Sequence, residues 1–149
     1  MADAEHMALL RATVEADFDR VAQMTRDLEQ ANRFDGYDII IDAAFTVALG
    51  QQFPHAHTAA DVIRLVADAR LVMDPAGDTF TPWCMEVVVR GAFGERALAE
   101  IYGHDVNLDV KILMVAYLAT RRRLGDPDVF IQNVAQLLTQ RRIEAHDER

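Results

Sequence analysis

Between Met7 and Ala31 the apolar residues fall in alternating steps of three and four. Met7, Leu10, Val14, Val21, Met24, Leu28 and Ala31 keep that rhythm, and only Asp17 interrupts it. A helix turns once in ~3.6 residues, so this spacing gathers the side chains into one stripe. A strand would alternate its faces every second residue instead. The stripe predicts one long amphipathic helix over residues 3–32. Asp3 is its expected N-cap, and Phe34, Asp35 and Gly36 end it. Such a helix would reach about 45 Å, more than the expected diameter of the folded remainder. It must bend near Asp17, or overhang and pack on a second copy.

A free-standing zipper would carry complementary charges beside its seam. Here the flanking pairs are His6 with Arg11, Thr13 with Phe18, Arg20 with Thr25 and Asp27 with Asn32, and none is a good ion pair. The stripe therefore has two outlets. It packs within its own domain, or it docks on a second copy or an unidentified protein. The candidate interaction residues are Met7, Leu10, Val14, Phe18, Val21, Met24 and Leu28. Phe18, next to the interrupted seam, is the expected anchor, because aromatic side chains dominate such interfaces.

The rest of the chain also reads as helix. Residues 38–49 are apolar almost all round, which predicts a buried central helix starting near Tyr37 or Asp38 and stopped by Gly50. Thr58 followed by Asp61 is a capping-box signature, with Val62, Leu65, Val66, Ala69 and Met73 as the inner face. Thr81-Pro82 marks another helix start, and Glu95 to Tyr102 reads as a short helix. Asn107 is the expected cap of a second buried helix centred on Ile112 to Ala119 and running to Arg123. Asp126-Pro127 opens a last helix with Phe130, Val134, Leu137 and Leu138 inside. The expectation is an all-α, single-domain bundle over residues 1–149. It has six or seven helices, a long N-terminal helix, a helical core over 37–138 and a polar, fraying tail over 143–149.

Residues 61–70 (DVIRLVADAR) resemble a recurrent segment in small helical proteins of actinomycetes. Trp83 to Gly94, with its VVRGAFG run, and the apolar helix that follows fit the same pattern, as do Ala43-Ala44-Phe45 and Phe53. The resemblance covers roughly residues 37–138 and implies a helical core. That group has no assigned activity, so the resemblance implies none. Its members look more basic after the Ala-Ala-Phe segment, where this chain has Gly50-Gln51-Gln52.

Net charge is −9, which repels a polyanion at long range and disfavours nucleic acid as a general partner. A single cysteine, Cys84, leaves no intrachain disulfide and fits a reducing, cytoplasmic setting. The N-terminus has no basic segment ahead of an apolar run, so no signal peptide is expected. No apolar stretch approaches the roughly 20 residues that span a bilayer, so no membrane partner is expected.

Chemical signatures are sparse. The chain contains no serine, and no phosphate-loop or nucleophile-elbow pattern occurs. His55-x-His57 has a spacing that suits two metal ligands. With His104 and Asp105 it forms the one metal-dependent hydrolase reading the sequence offers, against the simpler reading of polar loop and cap residues. Arg121-Arg122-Arg123 is the main basic run. It suits a helix C-terminus by complementing the dipole, and its alternative role is contact with an anion or nucleic acid. Cys84 reads as a small buried residue. The leading expectation is a non-catalytic helical interaction module that needs no cofactor and associates with itself through its first helix.

Overall fold

The computed structural model describes residues 4–148. It is all-helical, and no strand occurs among the described residues. Eight helices follow in order: α1 (Ala4–Val14), α2 (Phe18–Gln30), α3 (Tyr37–Gln52), α4 (Ala59–Met73), α5 (Pro82–Ala92), α6 (Arg96–Ala99), α7 (His104–Thr120) and α8 (Pro127–Asp147). The expected cap Asp3 lies outside the described residues.

The long first helix is the main correction, and it raises the count above the expected six or seven. The chain leaves α1 after Val14 and starts α2 at Phe18. Ala16 takes the left-handed conformation, φ 57°. The Ala16 amide donates to the Thr13 carbonyl at 3.0 Å, and the Asp17 amide donates to the Ala12 carbonyl at 3.0 Å. That pair of bonds is a Schellman closure of the helix end. Asp17 then caps α2, its side chain accepting from the Arg20 amide. A straight helix would have laid that carboxylate on the apolar seam, where burial without a partner is costly. Breaking the helix turns the same residue into a cap.

The sign of one substitution reports on this break. Ala16→Gly is expected to raise stability by about 0.5–1 kcal/mol, because glycine adopts the left-handed region without strain. In an uninterrupted helix the same change would lower stability by about 1 kcal/mol. Urea denaturation midpoints of the two proteins distinguish the cases.

The centre of the bundle is where the apolar patterns put it. α3 and α7 pack against each other, with α8 on α3, α4 and α5 on α7, and α1 against α3, α7 and α8. Ile41, Ala44, Phe45, Met114, Val115, Tyr117 and Leu118 are fully buried there. The Ile39-Ile40-Ile41 run is helical despite its β-branching, since Ile40 and Ile41 both reach the core while Ile39 faces out. α2 packs on α1, and α6 packs on α5.

The local start signals act as expected. Thr58 and Asp61 form a reciprocal capping box, and Thr81 and Asp126 each cap a helix whose first residue is proline. Several boundaries differ: α7 ends at Thr120 rather than Arg123, and the short helix expected over Glu95 to Tyr102 is only Arg96–Ala99. α3 runs through Gly50 to Gln52. α7 begins at His104 with Gly103 as cap, and Asn107 instead donates its side-chain amide back to the Tyr102 and Gly103 carbonyls. The expected fraying tail is helical to Asp147, with the Gln140 side chain donating to Glu144, and Arg149 lies outside the described residues. No helix among the described residues is long and apolar enough to cross a membrane.

Candidate functional site

A polar cleft of about 580 Å³ lies between α4 and the C-terminal end of α7. α4 contributes Asp61, Arg64, Leu65 and Asp68 along one face, spaced three and four apart as neighbouring turns require. α7 contributes Tyr117, and the chain just beyond it contributes Arg121 and Arg123. Gln52 and Phe53, at the end of α3, close the third side.

The way α7 ends arranges the arginines. Arg122 is left-handed, φ 56°. The Arg122 amide donates to the Ala119 carbonyl, and the Arg123 amide to the Leu118 carbonyl. This is again a Schellman closure, and it turns the chain inside the three-arginine run. Arg121 and Arg123 line the polar cleft, while Arg122 lines a different one near Phe18. The run is therefore not a continuous basic patch.

Tyr117 is the floor. It is fully buried, and its hydroxyl donates to the Asp68 carboxylate. That bond is the first reason the Asp68 carboxyl lies below its ordinary range, with the charges of Arg121 and Arg123 adding to it. Burial, with the bond to Asp68 adding to it, pushes the Tyr117 hydroxyl up to about 12. At neutral pH the pair is a phenol donating to a carboxylate. Arg121 reaches Asp68 at 3.4 Å, and Arg64 reaches Asp61 at 2.7 Å. The Arg123 guanidinium lies 5.7 Å from the centre of the Tyr117 ring. Among the described residues it has no hydrogen-bond or ion-pair partner. Three cations thus face two carboxylates. Arg64 is 73 % exposed, so most of its donors face open space.

The metal candidates do not come together. His55 is exposed in the α3–α4 loop. His57 stacks on Phe93 at 3.9 Å between ring centres. His104 begins α7 and lies 3.7 Å from Asp38 of α3, beside a second cleft of about 360 Å³. Asp105 is exposed in the first turn of α7. Among the described residues no three His, Cys, Asp or Glu side chains are grouped to hold a metal ion. In that second cleft Lys111 and Arg141 both bind Asp42, at 2.7 and 2.8 Å. Burial pushes the Asp42 carboxyl up, but its two cations outweigh that and hold it below its ordinary range. The cluster is a tie between α3, α7 and α8 whose cations are already engaged. Cys84 is buried, and burial pushes its thiol up, away from reactivity.

The N-terminal stripe is divided. Leu10, Val14 and Leu28 are buried in the core, and Met7, Val21 and Met24 are half-buried against it. Phe18 is 38 % exposed. It lines a cleft of about 590 Å³ with Val14, Ala119, Leu124 and Pro127.

No local spacing marks the polar cleft, because Arg64 and Arg123 lie on elements that meet only by folding. The signal available in the sequence is the basic run itself, set against a strongly acidic chain. No family model, curated protein or solved structure matches this chain.

Proposed function

We propose that this chain is a small helical binding domain whose cleft between α4 and α7 takes an oxyanion. The observation that carries the reading is the convergence of Arg64, Arg121 and Arg123 on one cleft, with the Arg123 guanidinium making no hydrogen bond or ion pair among the described residues. In a protein of net charge −9, three cations around one concavity are a local reversal of sign. Guanidinium groups bind oxyanions through charge-assisted, often two-pronged hydrogen bonds. The cleft falls in the range of about 300–1,000 Å³ common for small-molecule sites. Binding without chemistry is the simplest role for this cleft, since the Tyr117 hydroxyl, which meets the Asp68 carboxylate, belongs to a fully buried side chain.

Titration calorimetry with inorganic phosphate tests this. Saturable one-to-one binding is expected at low ionic strength. The double variant Arg121→Gln, Arg123→Gln should weaken it roughly 100-fold or more, at about 1.5–3 kcal/mol per lost charged hydrogen bond. Equal affinity in a variant of unchanged helicity, or no binding at millimolar phosphate, overturns the proposal.

The exposure of Phe18 favours a second reading, in which two copies, or this chain and another protein, meet at the α1–α2 corner. The anchor is then Phe18 alone rather than the whole stripe, because the core already holds Leu10, Val14 and Leu28. On this reading Phe18→Asp yields a folded monomer from a wild-type dimer. Sedimentation velocity checks it, and a monomeric wild type at high concentration rejects self-association.

A further inference from the structure

The oxyanion reading leaves most of the cleft unused, since a bare phosphate fills only a small part of about 580 Å³. We infer that the ligand is a flat aromatic or heterocyclic ring carrying a phosphate group. The phosphate sits among Arg64, Arg121 and Arg123, and the ring lies against Phe53. This inference rests on the oxyanion reading and adds the class of compound to it.

The first argument concerns the head group. A carboxylate is planar and is satisfied by one guanidinium fork. Three guanidinium groups brought from two elements suit a tetrahedral group with three free oxygens. The two carboxylates of the cleft, Asp61 and Asp68, are held by Arg64 and by Tyr117 with Arg121. They leave the side around Arg123 cationic.

The second argument concerns the wall. Phe53 and Leu65 are the apolar residues that line the cleft beside the ring of Tyr117. Phe53 is half-buried and braced from behind. Phe93 meets it edge-on at 5.5 Å and 70°, and His57 lies 5.8 Å from it. His57 and Phe93 are themselves stacked at 29°. A ring fixed by two neighbours loses little freedom when another ring packs on it, and pre-organisation of this kind favours a flat partner. Flatness also suits Arg123, which already lies over one aromatic face. The cleft thus offers a cationic end and an aromatic side within one concavity, which matches a compact molecule with the same two parts.

The experiment compares inorganic phosphate, phenyl phosphate and cyclohexyl phosphate by calorimetry on the full chain. Phenyl phosphate is expected to bind about tenfold more tightly than inorganic phosphate, and several-fold more tightly than cyclohexyl phosphate. Phe53→Leu, which keeps the site apolar, should reduce the gain of phenyl phosphate over inorganic phosphate, both measured on that variant, to about threefold or less. If phosphate binds and the ring adds nothing, this inference fails while the oxyanion reading stands. If phenyl and cyclohexyl gain equally, the wall is only apolar and the flat-ring inference is wrong. If none of the three binds, the oxyanion reading itself has failed. The wild-type comparison among the three ligands decides the matter even where the Phe53 variant folds poorly.

Discussion

Tyr117→Ala is expected to destabilise the protein by about 3–5 kcal/mol, the range found for deleting a buried aromatic side chain. Tyr117 is fully buried on α7, the helix against which α1, α3, α4 and α5 all pack. Removing its ring leaves a cavity that several elements would have to close at once. Total stability of a single domain is about 5–15 kcal/mol, so the loss is a large share of it. Tyr117→Phe separates packing from polarity. It keeps the ring and removes only the bond to Asp68. Asp68 is about one-third exposed and keeps Arg121, so water and that cation compensate, and a cost of about 1 kcal/mol is expected. Urea melts of the two variants with unchanged slopes give the comparison. If the phenylalanine variant loses as much as the alanine one, the hydroxyl and not the ring holds this region.

Gly91→Val should cost about 1–3 kcal/mol through overpacking. The reason is contact rather than backbone freedom. A Cβ placed on Gly91 would lie 2.9 Å from the Ala99 Cα and 3.0 Å from its amide nitrogen. Both are backbone atoms, so no side-chain rotation relieves the clash, and α6 must move away from α5. α6 buries no residue of its own. Its displacement should therefore lower the melting temperature without broadening the transition. Unchanged stability in this variant would mean that α6 does not sit against α5 in solution.

Much of the fold follows from chemistry confined to a few neighbouring residues. Thr58 with Asp61, Thr81 with Pro82 and Asp126 with Pro127 each state a helix start within four positions. The apolar circumference of α3 and α7 states their central place without any knowledge of their neighbours. The rhythm allows a bend near Asp17 but does not show that the helix ends there, for a physical reason. When an amphipathic helix folds back on itself, both halves still aim their apolar residues at one core, so the three-and-four rhythm persists across the corner. Asp17 on the seam and the poor flanking charge pairs were the available signs. Asn107 misled because an amide side chain can bond carbonyls behind it as readily as amides ahead. The polar cleft was the least legible part. Arg64 and Tyr117 meet only through the packing of α4 on α7, and the left-handed turn at Arg122 carries no glycine to announce it.

The position of α1 bears on how the chain is made. Its apolar face packs against α3, α7 and α8, and Arg11 reaches Asp128, 117 positions away, at 2.6 Å. During synthesis the first helix leaves the ribosome long before two of the three surfaces it covers exist. Contacts between neighbours such as α4 with α5 form early, whereas those that seal the bundle join the two ends of the chain. The nascent protein therefore holds Leu9, Leu10 and Val14 without their final partners until α8 has emerged, and its last helix completes the seat of its first.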